Sequence, residues 1–248
     1  MSTKLLPFIN KCLYFAQISL WPALCVVCRQ PSDTQRDLCT ACAIRLIHIP
    51  DPCLGCGLPL PPGRPPDRRC GTCTAGLRAI HRTLAPFAWQ PPLAPLVSAY
   101  KYHGQLQCGR VLSELLLEEI RASYAAAALP QLLLPVPLHP RRLRERGYNQ
   151  ALLVARQVGR ALNLPVAPTL LRRIRDTPAQ QGLHAAERKR NLRRAFSLGD
   201  ITPLSGLTRI AVVDDVITTM STVDTLARLL HRRLPETLEI HAWAFVRA

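Results

Sequence analysis

The stretch 209–222, RIAVVDDVITTMST, narrows the architecture of this 248-residue chain more than any other. Apolar residues Ile210, Ala211, Val212 and Val213 run into two adjacent acids, Asp214 and Asp215. A hydroxyl-rich loop follows, then a helical pattern from Val223 to Leu234. So short an apolar run reads as a strand buried on both faces of a parallel sheet. The acids then stand at the carboxyl end of that strand, where open α/β sheets bind ligands. The loop behind them leads into a helix N-terminus, whose free N–H groups and dipole attract phosphate. Two carboxylates can accept hydrogen bonds from vicinal sugar hydroxyls. Thr218, Thr219, Ser221 and Thr222 can donate to phosphate oxygens. A sugar phosphate satisfies both halves; the plainer alternative is an Asp-rich turn after an ordinary strand, with Ser221 or Thr222 capping the helix.

The stretch resembles the phosphoribosyl-pyrophosphate (PRPP) motif of type I phosphoribosyltransferases, apolar-apolar-Asp-Asp-x-x-Thr-Thr-Gly-x-Thr. One position departs from it: Met220 stands where the motif has glycine. Glycine there allows a positive φ and a close approach of backbone to phosphate. A methionine at positive φ costs about 1–2 kcal/mol. It is also expected to put a flexible side chain at the mouth of the site.

Eight of the ten cysteines form Cys-x-x-Cys pairs: Cys25/Cys28, Cys39/Cys42, Cys53/Cys56 and Cys70/Cys73. Each pair places two thiolates on one tight knuckle, and two knuckles complete the tetrahedral S4 shell of structural Zn2+. Gly55, Gly57 and Gly71 suit the positive φ such turns need. The simplest pairing is sequential, with Cys25, Cys28, Cys39 and Cys42 on one ion and Cys53, Cys56, Cys70 and Cys73 on the other; a cross-braced pairing fits the spacing too. A disulfide framework would need an oxidising compartment, and no signal peptide supports one: the apolar stretch 5–27 reads as an amphipathic helix without a cleavage site. Cys12 and Cys108 read as small apolar residues. A segment this short and loop-rich needs metal to hold it together. The expected division is 1–76 for an N-terminal helix and double ribbon, and 77–248 for the α/β domain.

Charge is uneven. Between 141 and 194 there are 14 Arg or Lys against Glu145, Asp176 and Glu187, a surplus of 11 in a total of +16. Such a region suits a polyanion, whether nucleic acid, phosphates or an acidic lipid surface. The plainer reading is a compositional preference for arginine, since only four lysines accompany 28 arginines. No run of 18 apolar residues exists, so no membrane span is expected.

Elsewhere, 111–127 reads as a helix, 131–138 as a buried strand, and the segment up to about Asn163 as a second helix. Further strands are expected at 165–171, 195–198, 208–213 and 238–246. Alternating strands and helices argue for a parallel sheet with right-handed crossovers.

Pro135-Val136-Pro137 followed by Arg144-Glu145-Arg146-Gly147-Tyr148-Asn149-Gln150 is similar to a block of the ComF/GntX family of competence and DNA-utilisation proteins. A second block matches at Arg173, Thr177, Gln180, Glu187-Arg188, Asn191 and Ala195-Phe196, and a third at Asp214-Asp215 and Thr218-Thr219. The Cys-x-x-Cys pairs match the family's double zinc ribbon. The resemblance spans about Trp21 to Val246. It implies an α/β fold: a type I phosphoribosyltransferase-like parallel sheet flanked by helices, with a small N-terminal zinc-ribbon domain. It further implies a link to natural transformation, in which imported single-stranded DNA enters the cytoplasm; it does not imply that transfer chemistry is retained.

On this reading Asp214 and Asp215 take ribose hydroxyls, with Mg2+ arriving with PRPP. Thr218, Thr219, Met220, Ser221 and Thr222 form the phosphate loop. Arg141, Arg142, Arg144 and Arg146, after a strand end, face the pyrophosphate, or form a solvated basic turn. The segment 172–194 stands where related enzymes have a flexible loop, and equally suits a DNA-contacting arm. Three functions remain open: a cytoplasmic accessory factor of DNA uptake that contacts single-stranded DNA and works with the competence helicase and translocation machinery at the inner face of the membrane; an active phosphoribosyltransferase of nucleotide salvage; and a zinc-ribbon scaffold.

Overall fold

The computed structural model describes residues 23–63, 68–76, 78–176, 194–235 and 237–248. Its contacts divide the chain into two compact units, Met1–Leu46 and Ile47–Ala248.

In the first unit, Leu24 and Pro31 form an antiparallel bridge. Arg29 N–H closes the knuckle onto Cys25 O at 2.9 Å. Arg29 takes the left-handed conformation the turn demands, at φ 64°. Cys39 caps a one-turn helix, α1 (Thr40–Ala43).

The second unit opens with the same device. Pro52 bridges Pro59, Gly57 N–H closes onto Cys53 O at 2.7 Å, and Gly57 has φ 73°. Cys70 caps α2 (Gly71–Thr74). Of the three glycines expected in left-handed turns, Gly57 is in one. Gly55 is needed for another reason: a Cβ there would lie 2.7 Å from Cys73 Sγ. Gly71 begins α2 and meets neither constraint.

The centre of this unit is a parallel sheet. Strands β1 (Arg82–Leu84) and β2 (Phe87–Ala88) lead to helices α3 (Leu93–Tyr102) and α4 (Leu106–Ser123). Then come β3 (Leu132–Pro135), α5 (Pro140–Arg146), α6 (Gln150–Leu162), β4 (Leu171–Arg173) and β5 (Phe196–Leu198). The chain ends with β6 (Arg209–Val213), β7 (Val216–Ile217), α7 (Ser221–His231), β8 (Glu239–Trp243) and β9 (Val246–Arg247). One sheet has the order β1-β8-β6-β3 and a second β2-β9-β7, parallel throughout.

The second sheet prolongs the first. β1, β8 and β6 each break for two residues and resume as β2, β9 and β7, and hydrogen bonds cross the break: Asp214 N–H to Trp243 O at 2.9 Å and Ala244 N–H to Leu84 O at 2.9 Å. The single strand expected over 238–246 is thus two strands, separated at Ala244–Phe245. Central position explains composition: Ile210 to Val213 are fully buried, as a strand covered on both faces requires.

The strand expected at 165–171 reduces to a bridge between Leu133 and Val166. Pro165 and Pro168 each remove a ladder donor, and β4 forms only beyond them, antiparallel to β5. Arg141 to Arg146 form helix α5 after Pro140, which ends at Gly147 with φ 78°.

The contacts divide the chain between the two cysteine groups, after Leu46. Cys53, Cys56 and Cys73 belong to one buried cluster with Leu134, Val212, Ile217 and Met220. Cysteine spacing shows where the knuckles are; it shows neither which of them share a metal nor what they pack against.

Candidate functional site

Asp214 and Asp215 stand at the break after the central strand, as the sequence implied. Asp214 is half-buried, and burial and the neighbouring Asp215 push its carboxyl up to about 8. Asp215 is buried and bound by a group not anticipated from sequence: Lys101 Nζ lies 3.0 Å from Oδ1. Burial works against the Lys101 charge, but Asp215 and Asp214 outweigh it and hold the ammonium above its usual range.

Lys101 is placed by the Tyr148-Asn149-Gln150 run. Tyr148 OH donates to Tyr100 O. Gln150 Nε2 donates to Lys101 O at 3.3 Å. In return Tyr100 OH donates to Gln150 O at 3.0 Å. Asn149 caps α6 by accepting from Leu152 N–H and donates to Val136 O at 3.0 Å. This motif therefore latches the end of α3 to the start of α6 and aims Lys101 at the acids. The available signal was composition: Lys101 is one of four lysines beside 28 arginines.

Asp214, Thr218, Thr219, Met220, Ser221 and Thr222 line one small cavity of about 30 Å³ at the start of α7. Thr218 and Thr219 are exposed, and Thr219 Oγ1 lies 2.7 Å from Ser221 Oγ. Met220 adopts the glycine-like conformation, φ 65° and ψ −4°. Its side chain does not lie at the mouth as expected. It is 2% exposed and packs in the core cluster, because the left-handed turn directs Cβ inward.

The arginines gather elsewhere. Arg141 and Arg142 line a separate cavity of about 400 Å³ with Glu145 and Asp176. Arg142 Nε is 3.3 Å from Asp176, and Arg141 Nε is 3.0 Å from Glu145. Arg144 is exposed. Arg146 donates to Gln150 Oε1 at 3.3 Å and lies over the Tyr102 ring at 5.2 Å. Arg173 lies over the Phe196 ring at 5.5 Å, and burial and the nearby Arg142 hold its guanidinium below its usual range. Arg188 and the matched positions 177, 180, 187 and 191 lie outside the described residues, as do Cys12 and the expected N-terminal helix up to residue 22.

The cysteine sulfurs fall into the two sequential groups, Cys25/Cys28/Cys39/Cys42 and Cys53/Cys56/Cys70/Cys73, with all four atoms of each within 4.8 Å of one another. A tetrahedron with Zn–S bonds of ~2.3 Å has edges of ~3.8 Å. The Cys28–Cys39 and Cys56–Cys70 sulfurs are each 3.8 Å apart. Burial opposes ionisation of Cys25, yet backbone hydrogen bonds from Cys39, Cys28 and Val27 outweigh it and bring the thiol to about 6. Cys53 is likewise lowered to about 7 against burial, through Cys70, Cys56 and Gly55. The donor set and spacing of each group fit structural zinc.

The double zinc ribbon domain family matches residues 17–80. Competence protein F of Haemophilus influenzae is 33% identical over 227 residues, which cover 90% of this chain and 96% of the relative. The chain belongs to the competence protein F family. Proteins named DNA utilization protein YhgH, from Salmonella typhimurium and Escherichia coli K12, are 33% identical over 229 residues, 91% of this chain and 97% of theirs. This member of the competence protein F family thus joins a double zinc ribbon to a parallel α/β sheet flanked by helices. Among its described residues no helix is long and apolar enough to cross a membrane.

Proposed function

We propose that the break after β6 binds a phosphoribosyl ligand, PRPP or a close relative, and that the protein is a cytoplasmic accessory factor of DNA uptake that contacts single-stranded DNA. The observation that carries the ligand reading is the conformation of the 214–222 loop. Met220 pays for a left-handed turn that glycine would adopt freely. The strained turn delivers exposed Thr218 and Thr219 to the start of α7, next to Asp214. Asp214 and Asp215 accept from the ribose hydroxyls. Thr218, Thr219, Ser221 and Thr222 donate to the 5′-phosphate with the helix N-terminus behind them. Mg2+ arriving with a pyrophosphate would offset the repulsion that raises Asp214. The arginines on α5, partly neutralised by Asp176 and Glu145, serve the pyrophosphate or the DNA backbone.

The relatives' names, competence protein F and DNA utilization protein, support the uptake role. On that reading the partners are single-stranded DNA and the helicase and translocation machinery at the inner membrane face. The acids and the Thr218-Thr219 pair also suit a second reading, an active phosphoribosyltransferase of nucleotide salvage. One experiment separates them: PRPP binding by calorimetry with and without Mg2+, beside oligo-dT binding at two salt concentrations and an assay for pyrophosphate release with nucleobases. Uptake factor predicts PRPP binding, salt-sensitive DNA binding and no pyrophosphate release. Base-dependent release would favour the salvage enzyme. Absence of both binding activities would overturn both readings.

A further inference from the structure

Arg247 is 6% exposed, and a buried guanidinium needs partners for its donors. They come from a cysteine knuckle, from the 214–222 loop and from the neighbouring Ala248 O, which accepts from Nη1 at 2.6 Å. Nε donates to Cys56 O at 2.8 Å. Nη1 donates to Ile217 O at 3.1 Å and to Thr218 O. One planar group thus joins the second cysteine knuckle to the loop that follows the acids. Cys56 supplies its Sγ to the tetrathiolate cluster and its carbonyl to Arg247, so fixing the sulfur fixes the carbonyl. Burial, with the nearby Arg78 charge, holds the Arg247 guanidinium below its usual range, while Cys56 and Cys53 partly support its charge. A zinc ion with four thiolates carries net charge −2, which suits a guanidinium neighbour.

Together with Ala248 N–H, which donates to Ile217 O at 2.9 Å, the contact also orients the loop. A trans peptide holds its C=O and N–H on opposite sides. With the Ile217 and Thr218 carbonyls turned to Arg247, the N–H groups of Thr218 and Thr219 point away from it. A phosphate would need those donors free.

We propose that Arg247 is a positioning residue that couples zinc at Cys53/Cys56/Cys70/Cys73 to the 214–222 loop, so that metal occupancy of the knuckle sets the loop's hold on a phosphate. The phosphate half of this rests on the ligand reading above; the mechanical half does not. The test uses the zinc-loaded full chain as wild type, Arg247→Met and Arg247→Lys. Two readouts are taken: amide exchange over 216–223, and the rate at which a chelator draws out each zinc with and without PRPP. Arg247→Met is expected to keep its zinc and circular dichroism while loop exchange rises about tenfold, with Arg247→Lys in between. PRPP is expected to slow release of one of the two zincs several-fold in wild type and not in Arg247→Met. Where Arg247→Met fails to fold, Arg247→Lys decides the exchange arm. Unchanged loop exchange in a folded variant overturns the coupling. So does PRPP binding that leaves zinc release equal in wild type and variant. If PRPP does not bind wild type, the ligand reading fails and the exchange arm alone decides whether the knuckle holds the loop.

Discussion

Lys101 Nζ lies 3.0 Å from one oxygen of Asp215 and 2.9 Å from the other. The two side chains are only 21% and 8% exposed. Breaking such a pair from one side strands a buried charge, at a cost of about 3 kcal/mol or more. Lys101→Met is therefore expected to lower unfolding free energy by about 3 kcal/mol at pH 7 in urea titrations. A second change, Asp215→Asn, should restore part of the loss. No recovery on adding the second change would place the effect in lost packing instead.

Met220 carries two opposed terms. Its left-handed turn costs about 1–2 kcal/mol, and truncating a buried methionine typically costs about 2–5 kcal/mol. Met220→Ala incurs the second and keeps the first. Met220→Gly incurs the second and removes the first. Glycine should therefore be the milder substitution, by about 1 kcal/mol in thermal or urea unfolding, although it removes one more carbon. The opposite ranking would mean that the turn is not left-handed in solution.

The second knuckle shares its core with the sheet and the first does not belong to that unit. Cys53→Ala should thus lower the unfolding midpoint of the α/β unit, read by the near-ultraviolet signal of fully buried Trp243. Cys25→Ala should leave that signal's midpoint within a degree or two while zinc content falls by about one ion. Equal effects from both would mean that the two knuckles fold as one body separate from the sheet.

Two buried groups pull stability in opposite directions with pH. His241 Nδ1 lies within hydrogen-bond distance of Tyr124 OH, 3.1 Å away, and burial lowers the imidazole to about 4. The unfolded state, with histidine near 6.5, takes up the proton first, so this contribution is lost as pH falls from 6.5 to 4. It amounts to about 3 kcal/mol. Asp214, raised to about 8, does the reverse: the folded state holds the extra proton, and its contribution is lost as pH rises from 4 to 8. The two nearly cancel between pH 4 and 6.5. In Asp214→Asn the cancellation is removed, and unfolding free energy should climb by about 3 kcal/mol from pH 4 to 6.5. A flat profile in that variant would show that His241 is not held neutral.

The sequence disclosed most plainly what repeats or what is uniformly buried. Ile210 to Val213 could only be a central strand, and the acids after them could only stand at its end. The four Cys-x-x-Cys knuckles followed from spacing, since each is local; which pairs group together did not, since a cross-braced pairing fitted as well, and the sulfur positions decide it. What escaped was set by contacts far apart in the chain. Lys101 meets Asp215 across more than a hundred residues, and Arg247 meets Cys56 across nearly two hundred. The basic run 141–146 read as facing a pyrophosphate or as a solvated basic turn, because charge is visible in sequence; its pairing with Asp176 is not. The inward turn of Met220 was likewise hidden, because a positive φ shows which residue is strained and not where its side chain goes.

The central claim is that Asp214 and Asp215 form the sugar half of a phosphoribosyl site. It is tested most directly by titrating PRPP with Mg2+ into zinc-loaded wild type and into Asp214→Asn/Asp215→Asn by calorimetry, with unfolding midpoints measured on both. Saturable binding to wild type, lost by at least a hundredfold in a double variant that remains folded, is the predicted result. Equal binding by the two proteins, or none by wild type, would contradict it.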